Sequence, residues 1–176
     1  YDVLLKNGLY LFLFALPLIV VFFLKIIVLG NLESNFASGS IDQAAYVAAV
    51  FHFSNLINAG YVLAFAILGI AFAGVVRINR LLVWYQPISY HEDFARGIKD
   101  NWKQDVLLFA LLGFLVFLSE FISALILLNQ STASQFIAQL ASVLPLCITA
   151  VVVLPAFCFA CAASGLYRDS FGKMIR

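Results

Sequence analysis

Four runs of about 20 apolar residues, at 9–29, 56–76, 106–128 and 141–163, decide what this chain can become. A helix of that length crosses a hydrocarbon core about 30 Å thick. Inside such a core no water pairs with backbone groups, so a crossing segment must close its own hydrogen bonds as a helix or as part of a closed barrel. Barrel strands alternate between lipid and lumen over roughly 10 residues, whereas these runs are apolar on every face. The expected fold is all-α: a polytopic transmembrane helical bundle, with four main spans plus interfacial helices, forming a single domain over 1–176. Composition agrees. The chain is 64% hydrophobic and 11% charged, against about 25% charged in soluble domains, too few polar side chains to cover a water-facing surface. A soluble enzyme or a disordered tail is therefore a poor match, and a formal net charge of +1 gives a nucleic acid nothing to hold.

The chain starts at Tyr1 and stops at Arg176 just after a basic segment, so both ends are expected to be incomplete. The first run is longer than the roughly 7–15 residues of a signal-peptide core and reads as a retained anchor. Orientation follows from the basic residues. Lys6, Arg77, Arg80, Arg96, Lys99, Lys103, Arg168, Lys173 and Arg176 fall at the two ends and in the middle loop, while the first and third loops have no Lys or Arg. The positive-inside bias then places both termini and the middle loop in the cytoplasm of a multi-pass cell-membrane protein.

Capping signals refine the boundaries. Ser40 to Gln43, Ser89 to Glu92 and Thr132 to Gln135 have capping-box spacing. The first predicts a helix from Ile41. Continued to Tyr85 it would measure about 67 Å, so a break is expected between Phe53 and Gly60, where His52, Ser54, Asn55, Asn58 and Gly60 cluster. The piece 41–53 would be a short outer helix; a simple tilted extension of the span is the other reading. After Pro87, Tyr90, Phe94, Ile98 and Trp102 recur every four residues, and Arg96 and Lys99 lie on other faces. This predicts an amphipathic helix over about 90–103 at the inner membrane surface. It serves either as a docking surface for a partner or as a membrane-surface connector.

Lys25 and Glu120 are the charges inside the runs. A charge within the bilayer costs several kcal/mol and marks a site to be explained. Both fall in outward halves of spans, about 6 Å apart in depth, which suggests a Lys25–Glu120 pair between the first and third helices. Separate snorkelling of Lys25 with a neutral Glu120, or a place on a transport path, are the other readings. Pro17, Pro145 and Pro155 predict kinks. Ala156, Ala160 and Ser164, and likewise Gly69 and Ala73, form small-residue stripes suited to close helix approach, within one chain or in a homo-oligomer. Cys147, Cys158 and Cys161 lie in the last run and read as small packing residues.

No Walker loop, GxSxG or HExxH pattern occurs, and His52 and His91 fall on opposite sides of the membrane in this topology. No catalytic residue, metal site or cofactor is expected, and an enzyme is not.

In the middle loop, Arg77-Ile-Asn-Arg80, Leu82-Val-Trp84 and the stretch Asp93-Phe-Ala-Arg-Gly-Ile-Lys-Asp-Asn-Trp-Lys-Gln104 resemble the YesL-like family of small bacterial integral membrane proteins. About 30 residues carry the motif, within an outline covering 60–128. The resemblance implies a bacterial plasma membrane and an association with carbohydrate uptake or glycan use, without naming catalytic residues. The expected function is an accessory or partner subunit of a bacterial transport system, in contact with the lipid bilayer and a membrane or cytoplasmic protein. The alternative is a small oligomeric channel or carrier with a polar site near Lys25 and Glu120.

Overall fold

The structure is a computed structural model and describes residues 2–128, 142–145 and 147–167, with side chains for 2–126, 142–145, 147–161. The expected third loop at 129–135 with its Thr132–Gln135 cap, and Arg168, Lys173 and Arg176, lie outside the described residues, as do the side chains of Ser164 and Tyr167. The chain is all-α: α1 (Asp2–Ala37), α2 (Gln43–Val83), α3 (Tyr90–Leu128) and α4 (Leu154–Tyr167), the last preceded by a π-helical turn, Thr149–Val153. Four helical segments are long and apolar enough to cross a membrane: Asp2–Ala37, Gln43–Val83, Tyr90–Ile126 and Ser142–Cys161.

The expected break in α2 does not occur. Gln43–Val83 is one helix, about 61 Å long, roughly twice a hydrocarbon core. The polar cluster marks packing instead. Asn58 is buried at 1% exposure, and Gly60 receives Val21 of α1, which would lie 3.4 Å from a methyl placed there. Small residues of this kind let membrane helices approach closely without ending them, while Asn55 Oδ1 and Asn58 Oδ1 are buried without a hydrogen-bond partner among the described residues.

Each turn is set by a few groups. After α1, Gly39 takes φ 73, while Ser40 N–H donates to Asn35 O and Gly39 N–H to Phe36 O. This is a left-handed helix stop that suits glycine. The N-cap of α2 is Asp42, whose carboxylate accepts from Ala45 N at 2.7 Å, two residues past the expected Ser40. Ser40 instead shares a hydroxyl hydrogen bond with Ser38. At the other end of α2, Gln86 N–H donates to Leu81 O with Tyr85 at φ 51. Ser89 then starts α3, and its N–H donates to Asp93 Oδ2 at 3.0 Å. The reciprocal acid is therefore Asp93 rather than Glu92.

Antiparallel α2 and α3 form a hairpin whose seam is lined with glycine. A methyl at Gly69 would stand 2.8 Å from Asp105 O, one at Gly97 2.8 Å from Ala73 O, and one at Gly113 2.9 Å from Val62 Cα. The α1 helix packs along α2, and together they bury Ala71, Val75, Ile78 and Phe94 under Tyr10, Leu11 and Phe14. Farther along the hairpin, Leu108, Phe109 and Cys161 form a second core with Phe72 and Phe157. Cys161 is buried there, while Cys147 and Cys158 are exposed. The π-helical turn ends just before Pro155, which has no N–H to offer the carbonyl four residues back.

Candidate functional site

Two polar assemblies lie at opposite ends of the hairpin. From Ser54 to Arg77 along α2 is about 35 Å. The basic end is where α1 begins and α2 turns into α3; the far end is where α1 turns into α2.

At the far end, Lys25 Nζ donates to Glu120 Oε2 at 3.1 Å, joining α1 to α3. The pair borders a cavity of about 390 Å³. On α2 it is walled by Tyr46, Val47, Val50, Phe51 and Ser54, and on α3 by Glu120, Ser123 and Ala124. The lysine and glutamate side chains are 21% and 33% exposed, so each is held by its partner and still open to the cavity. A hydroxyl chain runs behind this wall. Ser123 Oγ donates to Ser119 O at 2.8 Å and also approaches Ser142 O, while Ser119 Oγ and Thr149 Oγ1 lie 2.6 Å apart. Thr149 Oγ1 donates to Pro145 O at 3.0 Å. These bonds tie the segment around the π-helical turn to α3 without using the two charges.

At the basic end the polar groups close on each other. Tyr90 O–H donates to Asn7 Oδ1 at 2.7 Å, and Asn7 Nδ2 donates to Asn79 Oδ1 at 2.9 Å. This joins the starts of α1 and α3 to the end of α2. Arg77, 9% exposed, bridges Asp93 at 3.5 Å and Asp100 at 3.4 Å. Its Nε is buried without a hydrogen-bond partner among the described residues. Asp105 is 2% exposed, at the close contact with Gly69.

This assembly corrects the expected docking surface. Helix 90–103 exists as the first turns of α3 and continues unbroken into the apolar run. It is no separate helix along a surface. Phe94 is 6% exposed in the core, with Tyr90 and Ile98 packed against it, so these three members of the apolar stripe face α1 and α2 and are not available to a partner, whereas the fourth, Trp102, stays exposed. The reason lies in α2. Gly74 leaves space that the Phe94 ring fills, with ring carbons 2.6 Å from where a methyl would stand. Asp93 and Asp100, seven residues apart, turn to Arg77. What remains outward is Glu92, Arg96, Lys99 and Lys103, with Trp102 44% exposed and Lys103 Nζ 5.9 Å from its ring.

Of the sequence-expected site residues, Lys25 and Glu120 meet directly; Arg96, Lys99 and Trp102 share an exposed face; Tyr90, Phe94 and Ile98 belong to the core. The sequence does not announce the contacts of Asn7 and Asn79; it marks Arg77 for orientation, Ser54 as part of a helix break, and Ser123 as a hydrogen-bond partner of Glu120, whereas the Ser123 hydroxyl meets Ser119 O and Ser142 O. Asp93 and Asp100 carried a readable signal, because their seven-residue spacing puts them on one helix face. Among the described residues no three His, Cys, Asp or Glu side chains gather as a metal site needs. No family model, curated protein or solved structure matches the chain.

Proposed function

We propose that this chain is an accessory subunit in a bacterial cell membrane, serving a transport system through contact with a partner protein at its cytoplasmic end. One observation supports this above the others. The outward stripe Glu92–Arg96–Lys99–Lys103, with Trp102 beside it, sits on a helix held rigidly by a core and two ion pairs. The three long helices exceed a hydrocarbon core by some 25–30 Å each, so this stripe stands clear of the lipid. Net positive charge and an accessible tryptophan suit an acidic protein face. The positive-inside bias puts this end in the cytoplasm, and the resemblance of 77–104 to the YesL-like family points to carbohydrate uptake.

A tight α2–α3 seam leaves no room for a solute between those two helices, which favours a helper role over conduction by one copy. The second reading, an oligomeric carrier, draws on the cavity at Lys25 and Glu120. The two separate experimentally. A photo-crosslinker at Lys99 is expected to capture a subunit of an uptake system, and Arg96→Glu with Lys99→Glu to abolish the product while the protein stays folded. Solute flux in liposomes that needs Glu120 and ignores Lys99 would support the carrier. A cysteine at position 99 reactive only from outside intact cells would overturn the orientation.

A further inference from the structure

We propose that the Lys25–Glu120 cavity binds the headgroup of a phospholipid bearing a primary ammonium beside its phosphate, a phosphoethanolamine headgroup. The inference is independent of the partner assigned to the basic end and rests only on the chain lying in a membrane.

The pair leaves binding capacity unused. A lysine ammonium has three donors and a carboxylate about four acceptor positions; each group spends one on the other. Both remain partly exposed toward a cavity whose volume of about 390 Å³ lies in the ordinary range for ligand sites. A ligand with an oxyanion and an N–H cation a few atoms apart matches both ends. Its phosphate meets Lys25, its ammonium meets Glu120, and each contact is a charge-assisted hydrogen bond. Ser54 adds a hydroxyl to the same wall.

The surroundings select a lipid over a free solute. Val47, Val50, Phe51 and Ala124 make the rest of the lining apolar. The lysine is carried on a helix whose apolar window has no buried residue: next to it Phe22, Ile26 and Ile27 are 53%, 52% and 60% exposed. Acyl chains cover such side chains, and a polar zwitterion does not. Depth also fits, since Lys25 lies four residues, about 6 Å, from where the first apolar run ends. The lining runs from Ser54 up to Tyr46, about 12 Å farther toward the far end. Headgroup choice follows from Glu120. A quaternary choline has no N–H to donate, and a glycerol headgroup brings a phosphate to the carboxylate with no cation.

Native mass spectrometry of the detergent-purified protein tests this, with equimolar phosphatidylethanolamine, phosphatidylcholine and phosphatidylglycerol of identical acyl chains. One phosphatidylethanolamine is expected to be retained over phosphatidylcholine by about tenfold, the effect of one charge-assisted hydrogen bond. Glu120→Gln is expected to erase the preference, Lys25→Met to lower retention of both the ethanolamine and the choline lipid, and Arg96→Glu, at the other end, to leave the preference unchanged. Equal retention of the choline lipid by the native protein overturns the proposal, and that comparison stands even where a variant does not fold. A folded Glu120→Gln protein that keeps the full preference, or a folded Lys25→Met protein that retains both lipids as well as the native one, also overturns it. So does saturable binding of free O-phosphoethanolamine with no lipid retained, which makes the cavity a small-solute pocket.

Discussion

The two polar assemblies use the same kinds of side chain to opposite ends. At the basic end Arg77 has two carboxylates, Asn7 has two partners, and Asp93 both bridges Arg77 and accepts from the Ser89 N–H. At the far end one lysine meets one glutamate beside an open cavity. The first arrangement spends most of its hydrogen-bonding capacity on joining three helices, with Arg77 Nε left buried and unpartnered among the described residues. The second holds capacity in reserve. A buried charge whose partners lie in the chain serves the structure, whereas the half-satisfied pair facing a cavity is where the proposed lipid headgroup would bind.

The largest expected effect breaks the closed assembly. Arg77→Met leaves Asp93 and Asp100 without their cation. Removing one member of a buried pair costs about 3–5 kcal/mol, and the lower part of that range applies because the Asp100 side chain is 47% exposed. Thermal unfolding in mild detergent, read by a thiol dye on buried Cys161 with Cys147 and Cys158 replaced by serine, measures it. A change no larger than that of Lys25→Met would erase the contrast between the two ends.

Glycine extends the contrast from charge to packing. Gly97→Ala drives a methyl to 2.8 Å from Ala73 O and 3.0 Å from Gly74 Cα, both backbone atoms, and is expected to cost about 1–3 kcal/mol. Gly30→Ala, in α1 beyond the packed seam, meets nothing within 4 Å and is expected to stabilise by about 0.5–1 kcal/mol through helix propensity. Equal melting shifts of the same sign would show that the seam is looser than its backbone contacts require.

How far these regions are legible in the sequence follows from how local their causes are. The spans are local, since a run of 20 apolar residues identifies itself. The Lys25–Glu120 pair is nearly so, because two opposite charges stand alone in apolar runs at similar depth. The Asn7–Asn79 bond joins residues 72 positions apart, and polar residues near the end of a run look headgroup-facing until the helices are placed. The stripe Tyr90, Phe94, Ile98 shows which face is apolar but not whether lipid, partner or the chain's own α2 covers it. The misplaced break in α2 has a related cause. His52, Ser54, Asn55 and Gly60 weaken a helix in water, while in lipid the backbone has no alternative to helix.

Neutralising the open pair is expected to do less than breaking the closed one. Lys25→Met removes one partly exposed hydrogen bond to a charged group, worth about 1–2 kcal/mol after allowing for that exposure. Glu120 then faces a cavity that leaves room for solvation. The double variant Lys25→Met with Glu120→Gln should recover most of the loss, since no lone charge remains. A double variant as unstable as the sum of the singles would mean the two groups are not coupled.

The smallest effect separates two caps that look alike in sequence. Asp42 accepts from Ala45 N at the start of α2 and bridges to no cation among the described residues. Asp93 accepts from Ser89 N at the start of α3 and also holds Arg77. Asp42→Ala should therefore cost about 1 kcal/mol, the usual value of a lost N-cap, and Ser40→Ala nothing measurable, because Ser40 bonds only within the turn. Asp93→Ala should exceed Asp42→Ala by the value of its bridge, and Arg77→Met should remove that excess. If Asp42→Ala and Asp93→Ala cost the same in an Arg77→Met background and still differ in the native one, the difference between the two ends is carried by that single guanidinium.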